Sequence, residues 1–144
     1  SKAHDWDGKQ WVLNQAKQSE LEAQEKAMTK SRVWDAIRNE RDRRIQTGGY
    51  KVGDKWYHSD TFSRTQQMGL VMLGANMPAS LMWKTLDGSF VQMTPTLAQQ
   101  IFSAAAMSDQ MIFKAAEVHK AAMESSSKPA TYNYLINWPK AYGE

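Results

Sequence analysis

Hydrophobic and polar positions divide the chain into a polar first third and a more apolar remainder. Residues 14–46 are dominated by Gln, Glu, Lys and Arg, whereas residues 68–123 hold most of the aliphatic and Met residues. The stretch Gln15–Ile45 contains neither Gly nor Pro, and opposite charges such as Glu22 and Lys26 lie one helical turn apart. This pattern predicts a long, polar helix.

The apolar stripe of this predicted helix changes along its length. In the first half it holds only small residues, such as Ala16, Ala23 and Ala27. The second half adds Val33, Trp34, Ile37 and Ile45. A heptad seam drawn along the helix is only half apolar, which is a weak signal for a coiled coil. We interpret the helix as a solvated arm whose last turns pack on a domain. A stalk that joins copies of the chain into a homo-oligomer is the alternative.

A short aromatic segment precedes the predicted helix. Asp7-Gly8 is a strong turn dipeptide and is flanked by Trp6 and Trp11. We therefore expect a small turn or hairpin that brings the two indole rings close together. Asn14 is then expected to cap the helix that follows.

The middle of the chain predicts a hairpin followed by a capped helix. Gly48-Gly49 should end the first helix, because glycine accepts the left-handed backbone found at helix ends. Tyr50–His58 reads as two short strands around a Gly53-Asp54 turn. Asp60 follows as an N-cap, so we expect a second helix that runs to about residue 74.

A second hairpin–helix unit repeats this arrangement. Met82–Met93 reads as two strands around Asp87-Gly88, and Thr94-Pro95 is a strong start signal for a helix that runs to about Ser125. The wide apolar face of this third helix predicts that it is the central core helix. Its apolar positions are Leu97, Ile101, Ala104, Ala105, Met111, Ile112, Ala115, Val118 and Ala122.

The order helix, hairpin, helix, hairpin, helix predicts an α+β fold. We expect the two short antiparallel hairpins to form one small sheet that packs with the helices. The predicted organisation is an N-terminal turn and polar helical arm over residues 1–32, and a compact domain over residues 33–124. A linker and an aromatic segment follow over residues 125–144, and that segment should pack on the domain or on a partner.

Six Trp and nine Met residues suggest contacts with other proteins, because indole rings gather in cores and interfaces and Met adapts to irregular surfaces. The alternative for Met107 and Met111 is core filling. The candidate protein-binding residues are Trp6, Trp11, Trp34, Tyr132, Tyr134 and Trp138.

Few residues suggest chemistry. The chain has no Cys, which excludes disulfides, thiolate zinc sites and Cys nucleophiles. None of the three His residues has metal-ligand spacing, and no phosphate loop or nucleophile elbow is present. His58 and Asp60 could form a base and its orienting group, but a strand end and a helix cap explain them more simply. His119, beside the apolar face of the third helix, is expected to be a core or boundary residue. We therefore predict no catalytic, cofactor-binding or metal residue, no cofactor, and no enzymatic activity.

Charge and hydropathy also bear on the partner. A net charge of +3 gives weak support for nucleic-acid binding, and no stretch is long and apolar enough for a membrane span. Arg38, Arg41, Arg43 and Arg44 could bind phosphate, but the interleaved Glu40 and Asp42 favour a solvated face of ion pairs. We expect neither a nucleic-acid nor a membrane partner.

A longer pattern resembles a known family. The run Ile37–Arg44, followed by Gly48-Gly49-Tyr50 and by a hairpin ending in Trp56–Asp60, resembles an uncharacterised domain family of tailed-phage and prophage proteins, often tail or tail-fibre associated. Trp138-Pro139 is similar to the closing segment of that family, so the resemblance covers roughly residues 33–139. The segment Trp6–Val12 is similar to segments of tail-fibre assembly proteins.

The resemblance implies a bacteriophage tail component of the tail-fibre or baseplate apparatus that acts by docking to other tail or tail-fibre proteins. Such a protein would be made in the host bacterial cytoplasm and would reside in the virion tail. A chaperone that binds the receptor-binding fibre during trimerisation is the alternative. A cell-wall-acting enzyme is a more remote one, since it would need two carboxylates across a cleft.

Overall fold

A computed structural model describes the chain over residues 8–144, with side chains at residue 12 and over residues 14–144. The predicted α+β class, the long N-terminal helix and the two hairpins are confirmed. The main elements are α1 (Gly8–Thr47), β1 (Tyr50–Val52), β2 (Lys55–Tyr57), α2 (Thr61–Leu73), β3 (Met82–Lys84), β4 (Phe90–Gln92) and α3 (Pro95–Ser125). Short 3-10 turns follow α2 and α3 at Gly74–Asn76 and Pro129–Thr131. Within residues 8–144, no helix has the length and apolar content needed to cross a membrane.

Helix α1 begins earlier than predicted. It is already helical at Gly8, so Trp11 lies within the first turns of α1 and Asn14 lies in its interior. A hairpin with Trp11 on its second strand and a cap at Asn14 were therefore wrong, and the expected turn at Asp7 next to Trp6 lies outside the described residues. Residues 9–13 are compatible with a helix. The polar residues that follow have a strong helix preference, so the helix continues through Asn14 instead of starting there.

The end of α1 is built from two glycines. The backbone N–H of Gly48 donates to the carbonyl oxygen of Arg44 at 2.8 Å, which closes the last turn. Gly49 has a φ of +71°, and a Cβ there would lie 2.5 Å from Leu86 Cδ1. Gly49 is therefore needed both for its left-handed backbone and for the close approach of the second hairpin.

The two hairpins form two separate two-stranded sheets, so the single sheet that we predicted was wrong. Each turn has a glycine with positive φ, Gly53 at +62° and Gly88 at +85°. The hairpins meet through their ends rather than through a shared ladder. The N–H of Leu86 donates to the carbonyl oxygen of Trp56 at 2.9 Å, and the Lys55 ammonium group lies 2.9 Å from the Asp87 carboxylate.

The caps of α2 and α3 follow the sequence signals. The carboxylate of Asp60 accepts the N–H of Ser63 at 3.1 Å, and the hydroxyl of Thr94 accepts the N–H of Leu97 at 3.0 Å. Pro95 occupies the start of α3, where its missing N–H has no partner to lose.

Helix α3 passes through two hydrophobic cores. The hairpin core lies between its N-terminal half, α2 and the hairpins; its buried members are Tyr50, Tyr57, Leu70, Met93, Ala98 and Ile101. The clasp core lies between its C-terminal half, the second half of α1 and the C-terminal segment. Its buried members are Ile37, Ala116 and Met123, and Val33, Trp34, Tyr132, Tyr134 and Trp138 pack against them.

The central position of α3 is confirmed, but the predicted core face of α3 included residues that are exposed. Ile101 and Ile112 are buried as expected. Met111 and Val118 are 54% and 60% exposed, so their assignment to the core was wrong. The physical reason is that α1, α2 and the hairpins cover only one side of α3, and the apolar residues extend around to the side left open.

Candidate protein-docking surfaces

The aromatic residues predicted to bind partners pack mostly within the chain. Trp34, Tyr132, Tyr134 and Trp138 all contact the clasp core. The indole N–H of Trp138 donates to the carbonyl oxygen of Tyr134 at 2.7 Å, which stabilises the local conformation of the C-terminal segment. The predicted packing of this segment on the domain is therefore observed, and binding of a partner by these four residues stays a prediction.

Cations cover the open face of Trp34. The Lys120 ammonium group lies 4.9 Å and the Arg38 guanidinium 5.6 Å from the ring centroid. Of the other two candidates, Trp6 lies outside the described residues. Trp11 lies on α1, and its side chain is not among those described.

His119 lies inside the clasp core, where the sequence analysis expected a core or boundary residue. It is 3% exposed, its ring lies 4.9 Å from that of Trp138, and its Nδ1 atom lies 2.7 Å from the Tyr132 hydroxyl. Its Nε2 atom has no hydrogen-bond partner among the described residues. Burial lowers the pKa of His119, and the backbone of Ile136 acts in the opposite direction. The neutral imidazole therefore packs as an aromatic ring and anchors the C-terminal segment.

The arginine run borders the same core. The Glu40 carboxylate, which is 9% exposed, accepts hydrogen bonds from Arg43 at 2.6 and 2.9 Å and from Arg44 at 2.7 Å. The hydrogen bond from Arg43 is the main cause that lowers the pKa of Glu40, while burial opposes it. The Arg44 guanidinium also lies 5.4 Å from the Trp138 ring.

The other two arginines of the run have partners as well. Arg38 pairs with Asp35, and Arg41 lies 2.8 Å from Asp42 and 4.4 Å from the Phe113 ring. The ion-pair interpretation of the run therefore agrees with the structure better than a phosphate site does.

An apolar surface runs along the open side of α3. We call it the outer stripe and define it as Met107, Met111, Ala115 and Val118, whose spacing of three and four residues places them on one face. Met107 is 61% exposed, and Met111 and Val118 are exposed to a similar extent. Together with Trp138 and Pro139, part of this stripe lines a shallow groove of about 530 Å³.

A second surface lies between α2 and the second hairpin. We call it the hairpin cleft and define it by its lining residues, which enclose about 460 Å³. Three large apolar side chains in it are solvent-exposed: Phe62 by 72%, Phe90 by 61% and Met82 by 53%. The lining residues are His58, Phe62, Ser63, Gln66, Met82, Trp83, Lys84 and Phe90.

A smaller pocket of about 210 Å³ holds the most convergent polar groups. There, Arg64 binds Asp109 through two hydrogen bonds of 2.6 and 2.9 Å, and the Tyr50 hydroxyl donates to Gln67. Gln67 in turn donates to the carbonyl oxygen of His58 at 2.8 Å. Because these groups satisfy one another, we interpret the pocket as a structural junction between the first hairpin, α2 and α3. In the part of the chain that the structure describes, no cluster of three His, Cys, Asp or Glu residues could hold a metal ion.

Neither the outer stripe nor the hairpin cleft was predicted as a surface from the sequence. One signal for the stripe was present: when Phe102, Met107 and Phe113 are added to the nine predicted positions, the apolar residues of α3 cover more than half of its circumference, which is wider than one core face requires. The cleft had no comparable signal, because Phe62 and Phe90 are far apart in sequence.

The comparison with protein families decides the assignment of the chain. Residues 28–136 match a family described as a domain of unknown function, DUF4376. The chain belongs to this family. The matched residues include the buried members of both cores and the hairpin cleft, and they leave out Trp138 and the first half of α1. Neither a curated protein nor a solved structure matches the chain.

Proposed function

We propose that this member of the DUF4376 family is a non-catalytic docking module of a bacteriophage tail, in the tail-fibre or baseplate apparatus. The observation that carries the docking role is the outer stripe of α3. It is an apolar helical face with no covering element among residues 8–144.

The outer stripe has the features of a helix-binding surface. Large exposed apolar patches on small proteins mark interaction sites, and a stripe at helical spacing suits an amphipathic helix of a partner. Trp138 and Pro139 border the stripe, and Trp138 packs against the clasp core, which supports one side of the groove. Such support reduces the conformational entropy lost on binding.

The phage assignment rests on the sequence resemblance of the arginine-rich end of α1 and the hairpin that follows it. The polar first half of α1 agrees with an assembly role. Its side chains from Gln15 to Met28 are exposed, although the segment Ser127–Thr131 lies beside it near Glu22 and Lys26. A helix that is polar on every side is typical of a solvent-exposed bridge between domains or of a stalk.

A co-purification experiment tests the docking role. In the phage or prophage that encodes the chain, Met111→Glu should reduce co-purification with tail proteins at least tenfold, because a buried unpaired carboxylate is costly at an apolar interface. Gln110→Glu is the matched control, since it adds the same charge at an exposed position on a different face of α3. Equal recovery of tail proteins with both variants would exclude the stripe as the docking site. Mass spectrometry of purified virions tests the location, and absence of the chain from mature particles would contradict a virion component.

An assembly chaperone is the second candidate, and the exposed methionines favour it. Met72 is 80% exposed, and Met82, Met107 and Met111 are all more than half exposed. Flexible thioether side chains suit the transient binding of an incompletely folded partner. Co-expression with the fibre protein separates the two candidates. A chaperone should raise the yield of soluble fibre trimer, whereas a tail component should leave that yield unchanged.

A further inference from the structure

The hairpin cleft and the N-terminal segment have complementary chemistry. The cleft presents the exposed side chains of Phe62, Met82 and Phe90 together with the ammonium group of Lys84, and none of its lining residues carries a carboxylate. The nearest acidic residue in sequence, Asp60, is engaged in the N-cap of α2. The N-terminal segment contains Asp5-Trp6-Asp7, a large indole between two carboxylates.

We propose that the hairpin cleft binds the Asp5-Trp6-Asp7 segment of a second copy of this chain. Trp6 fills the apolar part of the cleft, where an indole ring contributes more contact area than other side chains. The carboxylates of Asp5 and Asp7 meet the positive charge of Lys84 at the rim, which fixes the orientation of the segment.

The segment cannot occupy the cleft of its own copy. The N–H of Thr61 donates to the side-chain oxygen of Gln46 at 3.0 Å, so the start of α2, including Phe62, lies beside the C-terminal end of α1. Asp5-Trp6-Asp7 is attached to the opposite end, at Gly8. At a rise of about 1.5 Å per residue, Gly8 and Gln46 are about 57 Å apart.

The chain between the segment and α1 is too short to cover that distance. Asp5 is three residues from Gly8, and a fully extended chain of that length spans at most about 11 Å. The partner that supplies the segment must therefore be another molecule.

The placement of the two sites also limits how copies assemble. Each copy carries one segment and one cleft at opposite ends of α1. Two copies with antiparallel α1 helices bring each segment to the cleft of the other, which gives a closed dimer. If each copy instead engages two different neighbours, the contact repeats from head to tail and gives a ring or a filament. This proposal does not depend on the phage assignment or on the outer stripe.

The first test is self-association of the full chain, measured by sedimentation velocity over a dilution series at low ionic strength. Trp6→Ala and Phe90→Asp should each weaken association by about tenfold or more. Leu135→Ala is the control, because Leu135, at 58%, is about as exposed as Phe90, at 61%, but lies outside both the hairpin cleft and the outer stripe. Its association should equal that of the unmodified chain. A chain that stays monomeric throughout, or a Trp6→Ala variant that associates normally, would overturn the proposal.

Mixing two defective variants gives a sharper test. Trp6→Ala retains an intact cleft, and Phe90→Asp retains an intact segment, so an equimolar mixture should form a complex that neither variant forms alone. A mixture that sediments as monomers would contradict the proposal. Circular dichroism checks that both variants fold, and Phe62→Ala replaces Phe90→Asp if that variant does not.

A peptide of residues 1–12 isolates the contact from oligomerisation. Titrated into the full-length Trp6→Ala chain, it should bind, and a peptide with Trp6→Ala should not. The doubly neutral peptide, Asp5→Asn with Asp7→Asn, should bind about two- to fivefold more weakly at low salt, with the difference shrinking as salt is added. Equal binding of the unmodified and Trp6→Ala peptides would overturn the assignment of Trp6.

Discussion

Helix α3 contributes to both the hairpin core and the clasp core, but the other elements that cover the two cores come from different parts of the sequence. The hairpin core is closed by neighbours in sequence, since α2 and both hairpins lie between Tyr50 and Met93. The clasp core is formed by segments far apart in sequence, because Ile37 on α1 and Trp138 near the C-terminus belong to the same cluster. The C-terminal half of α3 packs against both of these segments.

The two cores also differ in their polar content. The Glu40–Arg44 pair, whose side chains are 9% and 10% exposed, borders the clasp core, and His119 lies inside it. The pair near the hairpin core, Arg64–Asp109, is more exposed, at 24% and 33%. The hairpin core should therefore resist changes of pH and charge better than the clasp core, and the predictions below test that difference.

The largest expected effect comes from the same substitution in each core. Ile101→Ala and Ile37→Ala both remove a side chain that is 1% or less exposed, and each should lower the free energy of unfolding by about 2–5 kcal/mol. Ile101→Ala should cost more, because packed elements surround it, whereas the C-terminal segment can settle into the space left at Ile37. Urea unfolding measures both values. A larger loss for Ile37→Ala would show that the clasp core is the more tightly closed of the two.

A smaller effect is expected from the ion pairs. Glu40→Gln leaves the buried Arg44 guanidinium without its closest carboxylate and should cost about 1–3 kcal/mol. Asp109→Asn is the matched change beside the hairpin core. It should cost about 1 kcal/mol or less, because Arg64 keeps its hydrogen bonds to the carbonyl oxygens of Ser59 and Ile45. Equal losses in urea unfolding would contradict the proposed difference between the cores.

The smallest expected effect is a pH dependence of the clasp core. Burial lowers the pKa of His119 below its ordinary value of 6.5. As the pH falls below about 6.5, the unfolded chain binds a proton that the folded chain does not, so stability should decrease until the folded pKa is reached. The effect of Glu40 lies below its ordinary pKa of 4.5.

Urea midpoints measured on either side of that window, at about pH 7.5 and pH 5.5, test the role of His119. The unmodified chain should lose stability between these values, and His119→Gln should lose less. His58→Gln is the matched substitution outside the clasp core. An unchanged pH dependence in His119→Gln would assign the effect to other groups.

The elements with local signals were predicted from the sequence. Gly53 and Gly88 provide the positive φ of the two turns, and Asp60 and Thr94 cap the helices after them. Each signal acts over three or four residues, so no knowledge of the rest of the fold is needed to interpret it.

The errors have a different physical origin. Local residue preferences do not determine whether two short hairpins share a ladder, or which side of α3 is covered. Met111 and Val118 look like core residues in sequence, and only the positions of α1 and α2 leave them exposed. The same limit applies to the aromatic candidates. The number of aromatic residues suggested an interface with another protein, and the structure shows that four of the candidates pack against the clasp core of the same chain.

The length of α1 determines both how far its N-terminal end lies from the domain and in which direction that end faces. Each residue advances the chain by about 1.5 Å along the helix axis and rotates it by about 100° about that axis. Two extra residues in the exposed arm would lengthen it by only about 3 Å but would turn the N-terminal end by about 200°, to nearly the opposite side. Seven extra residues would lengthen it by about 10 Å and leave its direction almost unchanged. Insertions of two and of seven residues into the arm therefore separate the orientation of the N-terminal end from its reach.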